Sequence, residues 1–162
     1  MKILVLSDSH SALSFMRTCI RSVEPDAVIH LGDYYDDGSA MAEEFSHIPF
    51  YQVSGNCDRY RCPFGTSETI VMKICGVQLF MTHGHLHGVK SGLGKLLCDA
   101  RKTGVQAVLY GHTHASRCTQ EEDGLWVLNP GSSGYNGGSA GLILTEDGKI
   151  SACRLLRQAD LD

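Results

Sequence analysis

Five short hydrophobic runs in this 162-residue chain each end close to side chains that can bind a metal ion. The runs cover residues 3–6, 27–31, 50–53, 77–81 and 108–110, and they lead in turn to Asp8 and His10, Asp33, Asn56, His83 and His85, and His112 and His114. Short apolar runs bounded by polar residues are typical of buried β-strands. Ligands of open α/β sheets bind at the carboxyl ends of strands. The pattern therefore predicts one metal centre assembled from five strand ends.

The remaining apolar spacing predicts helices and further strands. Helical periodicity covers residues 14–23, capped by Ser11 or Ser14, and residues 92–102, ended by Gly104, with a short helix at 41–45 after a loop at 34–39. Residues 69–74 and 77–81 form a predicted β-hairpin, and strands at 116–119, 125–128, 140–144 and 150–155 form a later antiparallel run. Strands and helices alternate first and strands dominate later, so we predict two stacked sheets with helices outside.

Length and composition indicate a single globular domain spanning residues 1–162. The formal net charge of −4 gives no strong signal for nucleic-acid binding, which requires a basic surface. The seven cysteines are odd in number and show no C-x-x-C spacing, which favours reduced thiols in a cytoplasmic protein. A signal peptide is not visible, and apolar stretches fall short of the ~20 residues that cross a membrane.

The donor atoms at the five strand ends indicate which ions they would hold. Residues two apart share a side of a strand, so Asp8 and His10 can bind one ion together. The same spacing does not decide whether His112 and His114 bind one ion together, because a turn between them could direct them to two ions. Carboxylate, amide and imidazole ligands without thiolate favour Mn²⁺, Fe²⁺ or Zn²⁺ at a reactive site. Seven ligands exceed one tetrahedral coordination sphere and therefore predict two ions.

The ordered motifs D-x-H, G-D, G-N-x-D, H-G-H and G-H-x-H resemble those of the calcineurin-like metallophosphoesterase superfamily, and more closely its small YfcE-like phosphodiesterases. The resemblance extends over essentially the whole chain, including the segment N-P-G-S at 129–132. It implies a four-layer α/β/β/α sandwich of two mixed sheets flanked by helices. It also implies two metal sites that share Asp33. The first site would contain Asp8, His10, Asp33 and His114, and the second Asp33, Asn56, His83 and His112.

The function implied by this resemblance is hydrolysis of a phosphodiester in a small molecule or nucleotide by a metal-activated hydroxide. Two divalent ions would serve as cofactors, with manganese first and iron, zinc or nickel as alternatives. Asn56 would stabilise the phosphoryl group, while Asp58 would orient His10 or a neighbouring ligand unless it only closes a turn. Many members have His where this chain has Cys57, and that His protonates the leaving group. His85 could replace it, or substrates with good leaving groups could react without a proton donor, and the candidate catalytic set is Asn56, Asp58 and His85.

A second function from another class remains open, namely a non-catalytic scaffold such as the retromer subunit of the same fold. That subunit has lost metal-competent residues, whereas all seven ligand positions are intact here. The expected partner is a small phosphoester substrate, with no membrane partner, and a homo-oligomer is left open. Arg59 and Arg61 could meet a substrate phosphate, although arginines in a loop are more often simply solvated.

Overall fold

Two five-stranded mixed sheets form the centre of the computed structural model, which describes residues 1–161. The strands are β1 (Lys2–Leu6), β2 (Ala27–His30), β3 (Phe50–Gln52), β4 (Thr69–Ile74), β5 (Val77–Thr82), β6 (Ala107–Leu109), β7 (Arg117–Gln120), β8 (Trp126–Asn129), β9 (Ser139–Glu146) and β10 (Lys149–Arg157). The first sheet has the order β10-β9-β1-β2-β3 and the second the order β4-β5-β6-β8-β7.

Helical crossovers explain why the strands that carry the predicted ligands run parallel. Helix α1 (Leu13–Val23) joins β1 to β2, and helix α2 (Tyr35–Glu44) joins β2 to β3, so the three strands pair in parallel. Helix α3 (Gly94–Lys102) joins β5 to β6 in the second sheet, and those strands are again parallel. Parallel strands end at the same edge, so the loops after these five strands meet there.

The hydrophobic residues form three layers of packing between the four layers of secondary structure. A central cluster between the sheets contains Ile3, Val5, Leu79 and Leu109, all fully buried. A second cluster lies between the first sheet and helices α1 and α2, and a third between the second sheet and α3. This arrangement confirms the four-layer α/β/β/α sandwich. Both sheets are covered on two faces, which explains the continuous apolar runs in the sequence.

The second helix is longer than the sequence predicted. We expected a loop over 34–39 and a helix over 41–45, whereas α2 already begins at Tyr35. Gly38 and Ser39 disfavour a helix intrinsically, but Asp36 and Asp37 in the first turn favour its N-terminus. Gly38 is also buried against the side chains of His30 and Gln52, so tertiary packing overrides local propensity here.

Two smaller predictions were also wrong. Helix α1 begins at Leu13, so its N-cap position falls on Ala12, which has no side-chain oxygen, and neither Ser11 nor Ser14 caps it. The four late strands do not form one antiparallel run. Strands β7 and β8 pair in the second sheet, where β8 is also parallel to β6, whereas β9 and β10 pair in the first sheet. The hairpin β4–β5 and the end of α3 near Gly104 match their predictions.

Candidate metal centre

Five of the seven predicted ligands have an unusual backbone conformation. These residues have positive φ angles between 44° and 67°: Asp8, His10, Asp33, His112 and His114. The left-handed region costs a residue with a Cβ atom about 1 kcal/mol or more. Such conformations persist where the surrounding structure enforces them, and they concentrate at functional sites. The loops at this edge therefore store strain while they direct donor atoms inward.

Glycines let these loops approach one another more closely than other residues would allow. Gly32 has a φ of +92°, and a Cβ there would lie 2.5 Å from the backbone nitrogen of Gly55. A Cβ on Gly111 would lie 2.7 Å from Asp8 Oδ2. Real Cβ atoms do not approach other atoms so closely, so both positions require glycine. Gly32 and Gly111 thus bring their loops into contact with the loops of Gly55 and Asp8.

A first cluster of donor atoms contains Asp8, His10 and His114, all within 4.8 Å of one another. His114 Nε2 lies 3.1 Å from Asp8 Oδ1. The other carboxylate oxygen, Asp8 Oδ2, accepts hydrogen bonds from the Ser7 hydroxyl and the His112 backbone N–H. Within residues 1–161, Asp8 Oδ1 and His10 Nε2 are buried without a hydrogen-bond partner. Unpaired buried donors and acceptors are costly, so both atoms fit a bound cation.

A second cluster contains Asp33, His83 and His112, also within 4.8 Å of one another, and Asn56 adjoins it. His83 Nε2 lies 3.4 Å from Asp33 Oδ2 and 3.1 Å from Asn56 Oδ1. The other ring nitrogen, Nδ1, lies 2.8 Å from the carbonyl oxygen of Leu31. A ligand histidine commonly donates its second nitrogen in this way, which leaves Nε2 free for the ion.

The charges of the two clusters are coupled through His83. Burial acts against ionisation of Asp33, but His83 and the Cys57 backbone N–H outweigh it and hold the Asp33 pKa well below its usual range. Burial dominates at Asp8, whose pKa is raised. The pKa of His112 is lowered to about 4 by burial and by the nearby His83. A neutral imidazole is the form that binds a metal.

The two clusters are adjacent, because Asp8 Oδ1 lies 4.0 Å from His83 Nε2. His112 and His114 fall in different clusters, as the turn between them allowed. Asp33 lies in the second cluster, and its bridge to an ion in the first stays a prediction. Each cluster contains three residues of one of the two ligand sets that the resemblance implies, and two divalent ions fit the residues present.

Asp58 supports the second cluster, and within residues 1–161 its carboxylate forms no hydrogen bond or ion pair with His10. Its carboxylate is fully buried and accepts hydrogen bonds from the backbone N–H groups of Asp33, Tyr35 and Gly55 at 2.7–2.8 Å. Both oxygens are therefore engaged by the backbone, which leaves none to contact a substrate. The structure places Asp58 as the residue that ties the Asp33 loop to the Asn56 loop.

Three further polar residues hold the ligand loops, and sequence reasoning assigned them no role. Asp37 Oδ2 accepts hydrogen bonds from the Ser9 hydroxyl at 2.7 Å and the Ser11 N–H at 2.8 Å. The Asn129 side chain donates to the Gly111 carbonyl at 3.0 Å, and the Ser132 hydroxyl donates to the Asp8 carbonyl at 2.7 Å. The only signal for the last two was the segment N-P-G-S within the family resemblance.

His85 stands outside both clusters, unlike His83. Its ring centroid is 6.2 Å from that of His112, and its Nε2 lies 3.4 Å from Glu68 Oε1. A groove beside the second cluster is lined by Asn56, His85, Glu68 and the loop that carries the fully exposed Phe64. His85 is therefore positioned at the wall of a groove that opens next to the metal centre.

Cys57 contacts the second cluster through its backbone, and its sulfur accepts a hydrogen bond from Asn56 Nδ2 at 3.5 Å. The Cys57 N–H donates to Asp33 Oδ1 at 2.9 Å, while the residue itself is exposed. Burial of the sulfur and the nearby Asp33 raise the pKa of this thiol to about 11. A thiol with that pKa stays protonated at neutral pH in the metal-free protein, which disfavours Cys57 as a nucleophile.

Aromatic rings surround the first cluster. The ring centroid of His10 lies 4.8 Å from that of Tyr34 and 4.9 Å from that of Tyr135, which also stacks on His114. Arg61 lies over the Tyr34 ring at 3.8 Å and pairs with Asp36 at 2.9 Å. The charge of Arg61 is thus engaged at the rim of the site, whereas Arg59 lines the groove next to Asn56.

Comparison with known proteins identifies the family. The model of the calcineurin-like phosphoesterase superfamily domain matches residues 1–147. The probable metallophosphoesterase YsnB of Bacillus subtilis is 31% identical over 134 residues, which is 82% of this chain and 75% of YsnB.

Solved structures of phosphoesterases and of Vps29 have a similar fold. A predicted phosphoesterase from Streptococcus pneumoniae superposes with a TM-score of 0.72, at 25% identity over 97% of both chains. The phosphoesterase Yfce of E. coli gives 0.65, at 24% identity over 95% of this chain and 98% of its own. Vps29 from Entamoeba histolytica, complexed with Zn²⁺, gives 0.70, at 21% identity over 97% and 99%. On its sequence motifs, its four-layer fold and these matches, the chain belongs to the calcineurin-like phosphoesterase superfamily.

Proposed function

We propose that this protein is a two-metal phosphodiesterase that hydrolyses a small phosphodiester or nucleotide. The observation that carries the proposal is the adjacency of two donor clusters with buried, unpartnered donor atoms among the described residues. A groove opens beside them. We expect manganese as the resident ion, with iron, zinc or nickel as alternatives, and a cytoplasmic location.

The side chains of the second cluster define how a substrate would be held. Divalent ions at this centre supply Lewis-acid polarisation of the phosphoryl group and lower the pKa of a water. Asn56 turns Oδ1 toward His83 and its Nδ2 donates one hydrogen to Cys57 Sγ at 3.5 Å, so the second hydrogen of Nδ2 can donate to a phosphoryl oxygen. Asp58 keeps the Asn56 loop in register with Asp33. The scissile phosphate therefore lies above Asn56, between the two clusters.

The groove fits the leaving group. His85 lines it, and its Nε2 lies 3.4 Å from Glu68 Oε1, a contact that would orient the imidazole. His85 is therefore our candidate for the proton donor to the leaving oxygen. The protonated thiol of Cys57 is a poor acid, so we expect the enzyme to favour diesters with good leaving groups.

Metal-dependent turnover of bis(p-nitrophenyl) phosphate tests this proposal. Wild-type protein loaded with Mn²⁺ should release nitrophenolate, and a chelator should abolish the release. Asp33→Ala and Asn56→Ala should each lower kcat/KM by about 10³-fold or more while leaving the circular-dichroism spectrum unchanged. His47→Ala, at an exposed position of the opposite surface, is the control. Wild-type turnover in either site variant would show that the site is misassigned.

A non-catalytic scaffold of the same fold is the second candidate. It is favoured by the similarity to Vps29, a vacuolar protein sorting protein. One Vps29 structure is a complex with Zn²⁺, so metal binding alone does not separate the two functions. Turnover does separate them, because a scaffold would bind the ions without hydrolysing the diester under any metal.

A further inference from the structure

Two cysteines meet on the flank of the sandwich, away from the metal centre. Cys118 lies on β7, an edge strand of the second sheet, and Cys153 lies on β10, an edge strand of the first. Their Sγ atoms are 2.9 Å apart. Both side chains are partly buried against the hydrophobic cluster between the sheets. The contact therefore joins the open edges of the two sheets.

We propose that Cys118 and Cys153 form a redox modification site that accepts a low-molecular-weight disulfide as oxidant and closes to an intramolecular cross-link between the sheets. One thiolate attacks a sulfur of oxidised glutathione, breaks its S–S bond and releases one glutathione thiol. The second thiolate then attacks the mixed disulfide and releases the other. Two protein thiols are oxidised, one glutathione disulfide is reduced, and the two protons pass to the departing glutathione thiols.

The geometry of the pair sets the second step. Both cysteines are intermediate in exposure and each lies on an edge strand, so either thiolate can make the first attack on glutathione. The other sulfur is already in contact with the first at 2.9 Å, and it therefore resolves the mixed disulfide.

The cross-link would act on the strand that leads out of the metal centre. His114 of the first cluster precedes β7 by only a short loop, and Ser116 in that loop accepts a hydrogen bond from Arg157 on β10 at 3.1 Å. A bond between Cys118 and Cys153 would reinforce this existing connection between the strands. It would also close a covalent loop of roughly 35 residues and restrict the unfolded chain accordingly.

Peptide mapping of the full-length, metal-loaded protein tests the proposal directly. The reduced protein is incubated with oxidised glutathione, alkylated and digested with trypsin without reduction. Arginine and lysine positions place Cys118 in the peptide 118–149 and Cys153 in the peptide 150–154. We expect these two peptides to appear joined, with the loss of two hydrogens, and to separate after reduction. Exposed Cys57 and Cys98 should instead carry glutathione.

A thermal readout distinguishes a structural cross-link from incidental oxidation. The oxidised wild type should melt about 5–10 °C above the reduced wild type. Cys118→Ser and Cys153→Ser should show no such rise under the same treatment, and each should carry glutathione on the remaining partner. Glutathionylated Cys118 and Cys153 without a joined peptide in the wild type would overturn the proposal. A joined peptide with an unchanged or lower melting temperature would overturn the stabilising role.

Discussion

The two donor clusters use the same kinds of side chain but hold them by different means. Every ligand of the first cluster has a left-handed backbone, and Asp8 Oδ1 and His10 Nε2 are unpartnered within the described chain. His114 is also about one third exposed. In the second cluster Asp33 and His112 share that left-handed conformation but His83 does not, and His83 is fully buried with its Nδ1 held by the carbonyl of Leu31.

This difference teaches how the centre is assembled. Asp33 and His83 of the second cluster are oriented by hydrogen bonds to the backbone, so an ion there binds a more preorganised site. The donors of the first cluster depend on the ion to satisfy them, and they face solvent at His114. Preorganisation lowers the cost of binding. We therefore expect the second site to hold its ion more tightly than the first.

Single-ligand variants should produce the largest separation between the clusters. His114→Ala should leave one tightly held ion per chain. His83→Ala should lose the second-cluster ion and should also weaken binding of the first-cluster ion by about 100-fold, because His83 lies beside Asp8 as well. Ion content after dialysis against a chelator series, measured by elemental analysis, gives both values.

The wild type supplies the control for this comparison. Its ions should leave in two phases as chelator increases, with the first-cluster ion released first. His87→Ala, a histidine outside both clusters, should match the wild type. Release in a single phase, or equal ion content in the two ligand variants, would contradict the asymmetry of the clusters.

The carboxylates behind the loops allow a second comparison of the clusters. Asp58 uses both oxygens to accept three backbone hydrogen bonds beneath the second cluster, so Asp58→Asn must turn an amide NH₂ toward a buried N–H. We expect a loss of about 3 kcal/mol in the free energy of unfolding. Asp37 uses only Oδ2 beneath the first cluster, so Asp37→Asn can keep both bonds and should lose about 1 kcal/mol.

Denaturant titration of the two metal-free variants measures these losses. In melting temperature they correspond to about 10 °C for Asp58→Asn and about 3 °C for Asp37→Asn. Glu43→Gln, on the exposed face of helix α2, is a matched control for the loss of one negative charge. Equal losses in the two site variants would show that the carboxylates act through charge and not through the bonds that they accept.

The ligands were predictable because they follow from strand ends. Asp8, Asp33 and His83 each follow a run of apolar residues, and parallel strands bring such positions to one edge. The fold class followed from the same runs, which are continuous because both faces of each sheet are covered. Spacing alone could not assign His112 and His114 to one ion or to two, because the turn between them decides to which cluster each belongs.

The supporting contacts could not be predicted, because they join residues far apart in the chain. Asp37 meets Ser9 across 28 positions, and Ser132 meets Asp8 across 124. Neither residue belongs to a local pattern of periodicity or turn chemistry. Helix α2 was missed for the same reason, since its start at Tyr35 depends on packing of Gly38 against Gln52 and His30.

A smaller effect on the first cluster should come from pH. His30 is fully buried, its Nε2 lies 3.2 Å from the Ser9 hydroxyl, and burial lowers its pKa to about 4 from the ordinary 6.5. The unfolded state therefore binds the proton first, so this contribution to stability is complete above pH 6.5 and decreases as pH falls toward 4. At pH 5 we expect the contribution of His30 to the free energy of unfolding to be about 2 kcal/mol smaller than at pH 7.5.

Unfolding of metal-free protein at both pH values isolates this contribution. His30→Gln should lower the pH-dependent loss by about 2 kcal/mol, whatever its effect at pH 7.5. His47→Gln, at an exposed histidine, should keep the wild-type dependence. If His30→Gln retains the full loss between pH 7.5 and 5, His30 is not the group whose protonation weakens the support of Ser9.

The smallest effect should come from Cys57. Its backbone N–H contacts Asp33 of the second cluster, whereas its thiol is not one of the predicted metal ligands. Cys57→Ala keeps the N–H group that donates to Asp33, so turnover of bis(p-nitrophenyl) phosphate should change less than about twofold.

Nitrophenolate departs without a proton, whereas an alkoxide needs one. A series of diesters with increasingly basic leaving groups should therefore show a steep decline in rate for the wild type, and Cys57→Ala should reproduce it. His85→Ala is the comparison, because loss of the proposed donor should steepen the decline. A shallow wild-type dependence that becomes steep only in Cys57→Ala would show that the thiol is the general acid. The side chain of Cys57, and not only its backbone, would then belong to the site.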